Sequence, residues 1–197
     1  VAALGRGATR FAVGDRIGVA WLRHTCGVCR FCVRGDENLC TDPAFTGWDA
    51  DGGFAEYVCA RGNALALKPA RLTFAQAAAL PQAAVIALQG IRDKGQIQPG
   101  QRVLINGAGG GAGAFALQLA KLAGARVLAI TSSDTKAERL LAMGAEAVHN
   151  YRKEPAWDDW ALAQTGGVGV DKTVEIGGPE TLNRSIKATR FGGHISL

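Results

Sequence analysis

RVLINGAGGGAGAFALQLAK, residues 102–121, is the stretch on which the reading of this chain turns. Val103, Leu104 and Ile105 form a short apolar run behind a Pro99-Gly100 turn, the pattern of a strand buried on both faces. From Gly107 to Gly113 no side chain is larger than a methyl. Phe115, Leu119 and Leu122 then recur at i, i+4 and i+7, with Gln118 and Lys121 on another face, which predicts an amphipathic helix. Strand, glycine turn and helix are the parts of a pyrophosphate site. Small residues admit the phosphates close to the backbone, and the first helical N–H groups point at the anion. The literal G-x-G-x-x-G is absent. Aligned on Gly113, its first position is Ala108, and the glycines that stand are Gly107, Gly110 and Gly113. A flexible Gly/Ala turn between core elements is the bland alternative. The strand before and the helix after favour a dinucleotide, with Gly107, Gly110, Gly111, Ala112 and Gly113 as its phosphate-binding residues.

Downstream, strands and helices alternate. Ala125–Ile130 reads as a second strand and Thr131–Asp134 as a helix start. A helix over Lys136–Met143 closes at Gly144. A third strand over Ala147–Tyr151 and a helix over Trp157–Gln164 follow. Asp171–Ile176 is a fourth strand ending at Gly177-Gly178, Glu180–Thr189 a helix, and His194–Leu197 a fifth strand. This alternation predicts an α/β fold with a doubly wound parallel sheet. The second strand of such a sheet normally ends in an acid that binds the ribose 2′-hydroxyl of NAD. Here that place holds Thr131, then Ser132, and Lys136 lies within reach. With no acid to repel a 2′-phosphate, the expected cofactor is NADP in preference to NAD. Asp134 lies past the strand and reads as a helix-start residue.

Upstream the composition is different. Residues 1–21 read as short strands with turns, and 52–60 (GGFAEYVCA) as another strand. From Thr73, Ala, Leu and Gln dominate, and Pro81 predicts a helix beginning near Gln82. The domain boundary is expected at 72/73, separating a β-rich part, 1–72, from the α/β part, 73–197. All five cysteines lie between 26 and 59, and four of them stand in CGVCRFCVRGDENLC, residues 26–40. Cys26, Cys29, Cys32 and Cys40 suit a closed tetrahedral zinc site, in a polar loop that needs a staple. An iron–sulfur cluster is the competing reading. The bacterial run continues x3-C-P after its third cysteine, whereas here the gap is seven and Thr41 follows Cys40. Unligated thiols are the remaining alternative. Cys59 stands apart and reads as a buried core thiol. Clustered thiols fit a reducing, cytoplasmic setting at least as well as a disulfide scaffold.

The net charge of +5 over 197 residues is mild and the basic residues are scattered. That argues against a nucleic-acid partner, which needs a basic stripe. No apolar run approaches the ~20 residues of a membrane helix. The histidines offer no triad: His24 reads as exposed beside the cysteine loop, and His149 and His194 as satisfied core residues. Asp158 and Asp159, near a helix start, complement its dipole.

Read together, the cysteine loop and the glycine turn resemble the zinc-containing alcohol dehydrogenases of the medium-chain dehydrogenase/reductase superfamily. GVAWLRHTCGVCRFC is similar to the yeast and bacterial tetrameric branch, and DGGFAEY is a recurring family phrase. The segment from ALQGIRDKG to LQLAK is closer to the quinone-oxidoreductase branch, while AVHNYR and VEIGGPETL again look like bacterial zinc enzymes. The resemblance implies a partial GroES-like domain with a zinc lobe over residues 21–46, followed by a partial Rossmann domain. It implies hydride transfer between NAD(P) and an alcohol or aldehyde. The alternatives are a zinc-independent NADPH quinone or enone reductase and a non-catalytic NADP-binding protein. It implies a homo-oligomer when intact. The family's catalytic zinc takes a Cys and a His from a segment preceding Val1, and its third ligand falls at Gln82, a poor zinc ligand. The 197 residues alone are therefore expected to be inactive. Trp21 matches a substrate-pocket position, with a core residue as the alternative. Gly177 is a further cofactor-binding residue, and by the family's pattern Leu197 lies where the fifth strand meets the nicotinamide.

Overall fold

The computed structural model describes every residue, Val1–Leu197. The chain folds into two compact units, Val1–Gln82 and Ala83–Leu197. In the first, β1 (Ile17–Val19) pairs antiparallel with β4 (Leu65–Leu67), and β2 (Leu22–His24) with β3 (Ala44–Phe45). These ladders are shorter than the sequence suggests. Of residues 1–21 only β1 is a strand, and 52–60 is irregular, with Phe54 fully open, Tyr57 exposed, and Cys59 exposed rather than buried. A β-prone run becomes a strand only where a neighbour takes its N–H and C=O groups, and strands of two and three residues leave little ladder to join. His24 is half-buried rather than exposed, with Nδ1 at 2.8 Å from Arg61 Nη1.

A long helical segment comes next: α1 (Phe74–Ala78), a π-turn over Leu80–Ala84, α2 (Val85–Leu88) and a second π-turn over Gln89–Lys94. It begins eight residues earlier than Pro81 suggests. Thr73 and Gln76 form a reciprocal capping box: the Gln76 N–H donates to Thr73 Oγ1 (3.2 Å) and the Thr73 N–H to Gln76 Oε1 (3.0 Å). Pro81 sits inside the wider π-turn, where the chain accommodates its missing N–H. The compact units part within this segment, at Gln82/Ala83, where the sequence reading places the boundary at 72/73. Contrary to the sequence reading, Phe74–Lys94 is long and apolar enough to cross a membrane by length and composition, with a mean hydropathy of 1.3. Its Ala87 and Ile91 instead join the core of the second unit.

The second unit is a five-stranded parallel sheet of β5 (Arg102–Ile105), β6 (Arg126–Thr131), β7 (Ala147–Asn150), β8 (Val170–Val174) and β9 (Thr189–Ser196), in the order β7-β6-β5-β8-β9. The linking helices are α3 (Gly111–Leu122), α4 (Asp134–Ala142), α5 (Trp157–Gln164) and α6 (Pro179–Ala188). Side chains alternate between two cores. Val103, Ile105, Val127 and Ala129 face the α3 side, and Leu104, Leu128, Ile130 and Val170 join Trp157 and Ala161 of α5. Burial on both faces explains why β5 and β6 read as continuous apolar runs. The packed face of α3 differs from the expected one: Gly113, Ala116, Leu117 and Ala120 are buried, Phe115 and Leu119 only partly, and Leu122 is exposed. Small residues bring the helix axis close to the sheet, and the bulky ones fall to the flanks. The last strand starts at Thr189 rather than His194, directly after α6, and His194 is exposed on it instead of lying in the core.

His149 is a satisfied buried residue, with Nε2 at 2.7 Å from the Glu154 carbonyl and its ring against Trp160. Asp158 does more than complement a dipole. It is buried and pairs with Arg184 and Lys187 of α6 (3.1 Å to Lys187), while Lys187 also reaches Asp159 at 2.7 Å. Burial alone raises the Asp158 carboxyl, but hydrogen bonds from Lys187 and Arg184 outweigh it and hold the group below its usual range. These pairs tie α5 to α6.

Candidate functional site

The glycine turn joins β5 to α3, and its glycines are needed for different reasons. Gly107 has φ +72°, a left-handed conformation that side chains resist. A Cβ on Gly113 would stand 2.5 Å from the Gly107 carbonyl oxygen and 2.6 Å from Ala108 Cα, so the helix packs directly on the turn. A Cβ on Gly109 would meet Thr131 Oγ1 at 2.7 Å and Lys136 Cδ at 2.8 Å. Gly110 and Gly111 are unlike these. A Cβ would find nothing nearer than 3.5 Å and 3.6 Å respectively, so the fold itself does not demand glycine there. Ala108 is fully buried and its N–H donates to the Ile130 carbonyl (3.0 Å), pinning the turn to β6. Gly110 caps α3, and the first helical bond runs from the Ala114 N–H to the Gly110 carbonyl (2.9 Å). The N–H groups of Gly111, Ala112 and Gly113 thus have no partner within the helix.

At the end of β6, Thr131 is buried and its hydroxyl has no hydrogen-bond partner. Ser132 is half-buried, and Ser133 caps α4 by accepting the Lys136 N–H (3.3 Å). Lys136 is exposed, with its stem laid along Gly109. The Asp134 carboxylate is turned elsewhere, to Asn150 Nδ2 (2.9 Å) and Lys153 Nζ (2.6 Å), and these bonds lower its pKa.

On the other side of β5 lies the β8–α6 turn. Ile176 flanks Gly107, and Gly178 has φ +90°. The strand order reverses between β5 and β8, and ligands of open α/β sheets sit at such a switch point, beyond the carboxyl ends of the strands. Leu197 follows β9 and is exposed. Two residues here escaped the sequence reading: Asn106 and Glu175, buried polar side chains joined at 3.1 Å. Asn106 directly follows the apolar run Val103–Ile105 and precedes Gly107, which is a local signal, whereas Glu175 follows the mixed run VDKTV and stands two residues before Gly177-Gly178, so nothing local marks it.

In the first unit the four cysteines come together. The sulfurs of Cys26, Cys29, Cys32 and Cys40 all lie within 4.8 Å of one another, and none of the chain's cysteines forms a disulfide. Tetrahedral zinc–thiolate bonds of about 2.3 Å require sulfurs about 3.8 Å apart, and Cys26 and Cys32 stand at 4.0 Å. The sulfurs also accept backbone N–H groups, Cys40 from Cys26 (3.3 Å) and Asp42 (3.4 Å), and Cys26 from Cys29 (3.3 Å). N–H donors from Cys32 and Thr41 hold the Cys29 thiol down at about 5, while burial pushes Cys32 up to about 12. Four soft donors at this spacing fit zinc and leave it no open position. Trp21 is half exposed and stacks on Phe45 with ring centroids 5.0 Å apart, so it is not a core residue. Gln82 is exposed on its π-turn.

Residues 1–70 match the alcohol dehydrogenase GroES-like domain, and residues 111–197 match the zinc-binding dehydrogenase family. An alcohol dehydrogenase of Schizosaccharomyces pombe is 34% identical over 98% of this chain and 55% of its own length. One from Geobacillus stearothermophilus is 34% identical over 98% of this chain and 56% of its own. A crystal structure of an NAD-dependent alcohol dehydrogenase superposes with a TM-score of 0.92 at 40% identity, covering 98% of this chain and 56% of that one. The chain therefore spans about half the length of the curated relatives it matches.

Proposed function

Because the chain belongs to the zinc-containing alcohol dehydrogenases of the medium-chain dehydrogenase/reductase superfamily, we propose that the intact protein is an oxidoreductase moving a hydride between NAD(P) and an alcohol or aldehyde. The observation that carries this is the β5–turn–α3 unit, with its self-packed glycines and free helical N–H groups. When bound, the nicotinamide supplies or accepts the hydride at its C4. In this reading Gly107, Gly110, Gly111, Ala112 and Gly113 hold the pyrophosphate. Thr131, Ser132 and Lys136 flank the adenosine ribose, and Gly177 and Leu197 lie toward the nicotinamide. Cys26, Cys29, Cys32 and Cys40 hold a structural zinc that staples the polar loop and takes no part in the chemistry. The relatives' names favour an alcohol substrate over a quinone or enone. A reducing cytoplasm belongs to the same proposal, supported by five cysteines that form no disulfide, and so does a homo-oligomer, which rests on the family resemblance alone.

Within it, NADP is preferred to NAD. Thr131 offers no carboxylate, Asp134 is engaged by Asn150 and Lys153, and Lys136 stands exposed over Gly109. NAD is the second reading, favoured by the name of the structural neighbour. Fluorescence titration with NADPH and NADH decides between them. NADPH is expected to bind more tightly, and Lys136→Ala to weaken NADPH by about tenfold, the size of one lost charged contact, while NADH changes little. Tighter NADH, or equal losses, refutes the preference. Binding of neither refutes the dinucleotide site itself.

A further inference from the structure

Glu175 directly follows β8, is 5% exposed, and has five donor groups on its carboxylate. Asn106 Nδ2 reaches both oxygens at 3.1 Å, the N–H groups of Gly177 and Gly178 reach one at 2.5 and 3.1 Å, and the hydroxyls of Thr181 (2.7 Å) and Ser185 complete the set. The donors come from three places: the end of β5, the β8–α6 turn itself and the first two turns of α6. A side chain made only to accept is required at their centre, because an amide would turn an N–H toward other donors. Burial raises this carboxyl, but its hydrogen bonds from Ser185, Thr181, Asn106 and Gly177 more than offset that. The turn so gripped has no slack. A Cβ on Gly177 would stand 2.9 Å from Asn106 Nδ2 and closer still to Thr181 Oγ1. Between the two anchored residues, Ile176 is left partly exposed beside Gly107.

We infer that Glu175 is a positioning residue for the dinucleotide: by drawing the backbone of Gly177 and Gly178 inward, it sets Ile176–Gly178 as the wall of the switch-point crevice on the β8 side of Gly107. The inference rests on the dinucleotide reading above. The adenosine ribose end belongs to the β6 side, at Thr131 and Lys136, so the half of the ligand that crosses to β8 is the nicotinamide half. Glu175 need not touch the ligand. It acts through the turn.

The experiment compares whole and half ligands on the full chain. NADPH and NADH are titrated beside ADP and adenosine 2′,5′-bisphosphate, which lack nicotinamide. Glu175→Gln keeps the size and removes one acceptor. It is expected to weaken the whole dinucleotides by about tenfold, a buried charged hydrogen bond's worth, and to leave the half ligands within about twofold. A role confined to holding α6 on the sheet would move all four ligands alike. Thr181→Val, which removes one donor and keeps the carboxylate, is expected to act in the same direction by about threefold, and it carries the test alone should Glu175→Gln fail to fold. Equal losses for whole and half ligands, or no loss in a folded variant, overturns the inference. If the unmodified chain binds neither kind, the dinucleotide reading fails first and takes this one with it.

Discussion

Replacing Gly113 and Gly110 separately by alanine should break two different things. At Gly113 the new methyl stands 2.5 and 2.6 Å from the Gly107 oxygen and Ala108 Cα. Both atoms are backbone, and Ala108 is held by its bond to the Ile130 carbonyl, so neither can rotate away. Overpacking costs about 1–3 kcal/mol, and a rigid backbone contact belongs at the upper end, about 3 kcal/mol. At ~4 °C per kcal/mol for a unit of this size, the melting temperature should fall by ~10 °C. At Gly110 φ is −92° and the nearest atom is at 3.5 Å, so an alanine fits. Its poorer capping, about 1 kcal/mol, is offset by about 0.4–1 kcal/mol from a less flexible unfolded chain. The Gly110→Ala protein should therefore melt near the unmodified chain yet lose NADPH affinity by at least about tenfold, since its methyl occupies the space the phosphates need. Thermal melts by circular dichroism and fluorescence titration read both effects. A Gly113→Ala protein melting within about 2 °C of the original, or a Gly110→Ala protein as unstable as Gly113→Ala, would refute the division of labour among these glycines.

Two further outcomes follow from the ionisable groups. Cys40→Ser should cut bound zinc from one per chain to a small fraction, measured by elemental analysis after gel filtration, and full retention would count against the four-cysteine site. Asp158→Asn should destabilise the second unit by about 2 kcal/mol at neutral pH, because a buried carboxylate loses charged partners on α6. Its folded pKa lies below the unfolded value near 3.8, so the stabilisation is present above that pH and disappears as the pH falls through the folded value. Denaturation curves of the two proteins should differ at pH 7 and draw together as the pH is lowered progressively below 3.8, and a pH-independent difference would assign the loss to packing.

What was legible in the sequence was local. The apolar runs at Val103–Ile105 and Ala125–Ile130, the methyl-sized turn between Gly107 and Gly113, and the cysteine spacing each carry their meaning within a few residues, because strand burial, close backbone approach and loop metal ligation are short-range demands. Even the missed helix start had its signal, the Thr73-x-x-Gln76 box. The tertiary structure decided what depends on a partner. GGFAEYVCA has strand composition but no neighbour to pair with, and Cys59 is exposed with it. The buried face of α3 shifted to Ala116, Leu117 and Ala120, since only the sheet beneath sets how close a helix must come. The Glu175 centre was out of sight for the same reason: its bond to Asn106 joins residues 69 apart in the chain, and no period or spacing links the ends of two strands that only sheet order makes neighbours.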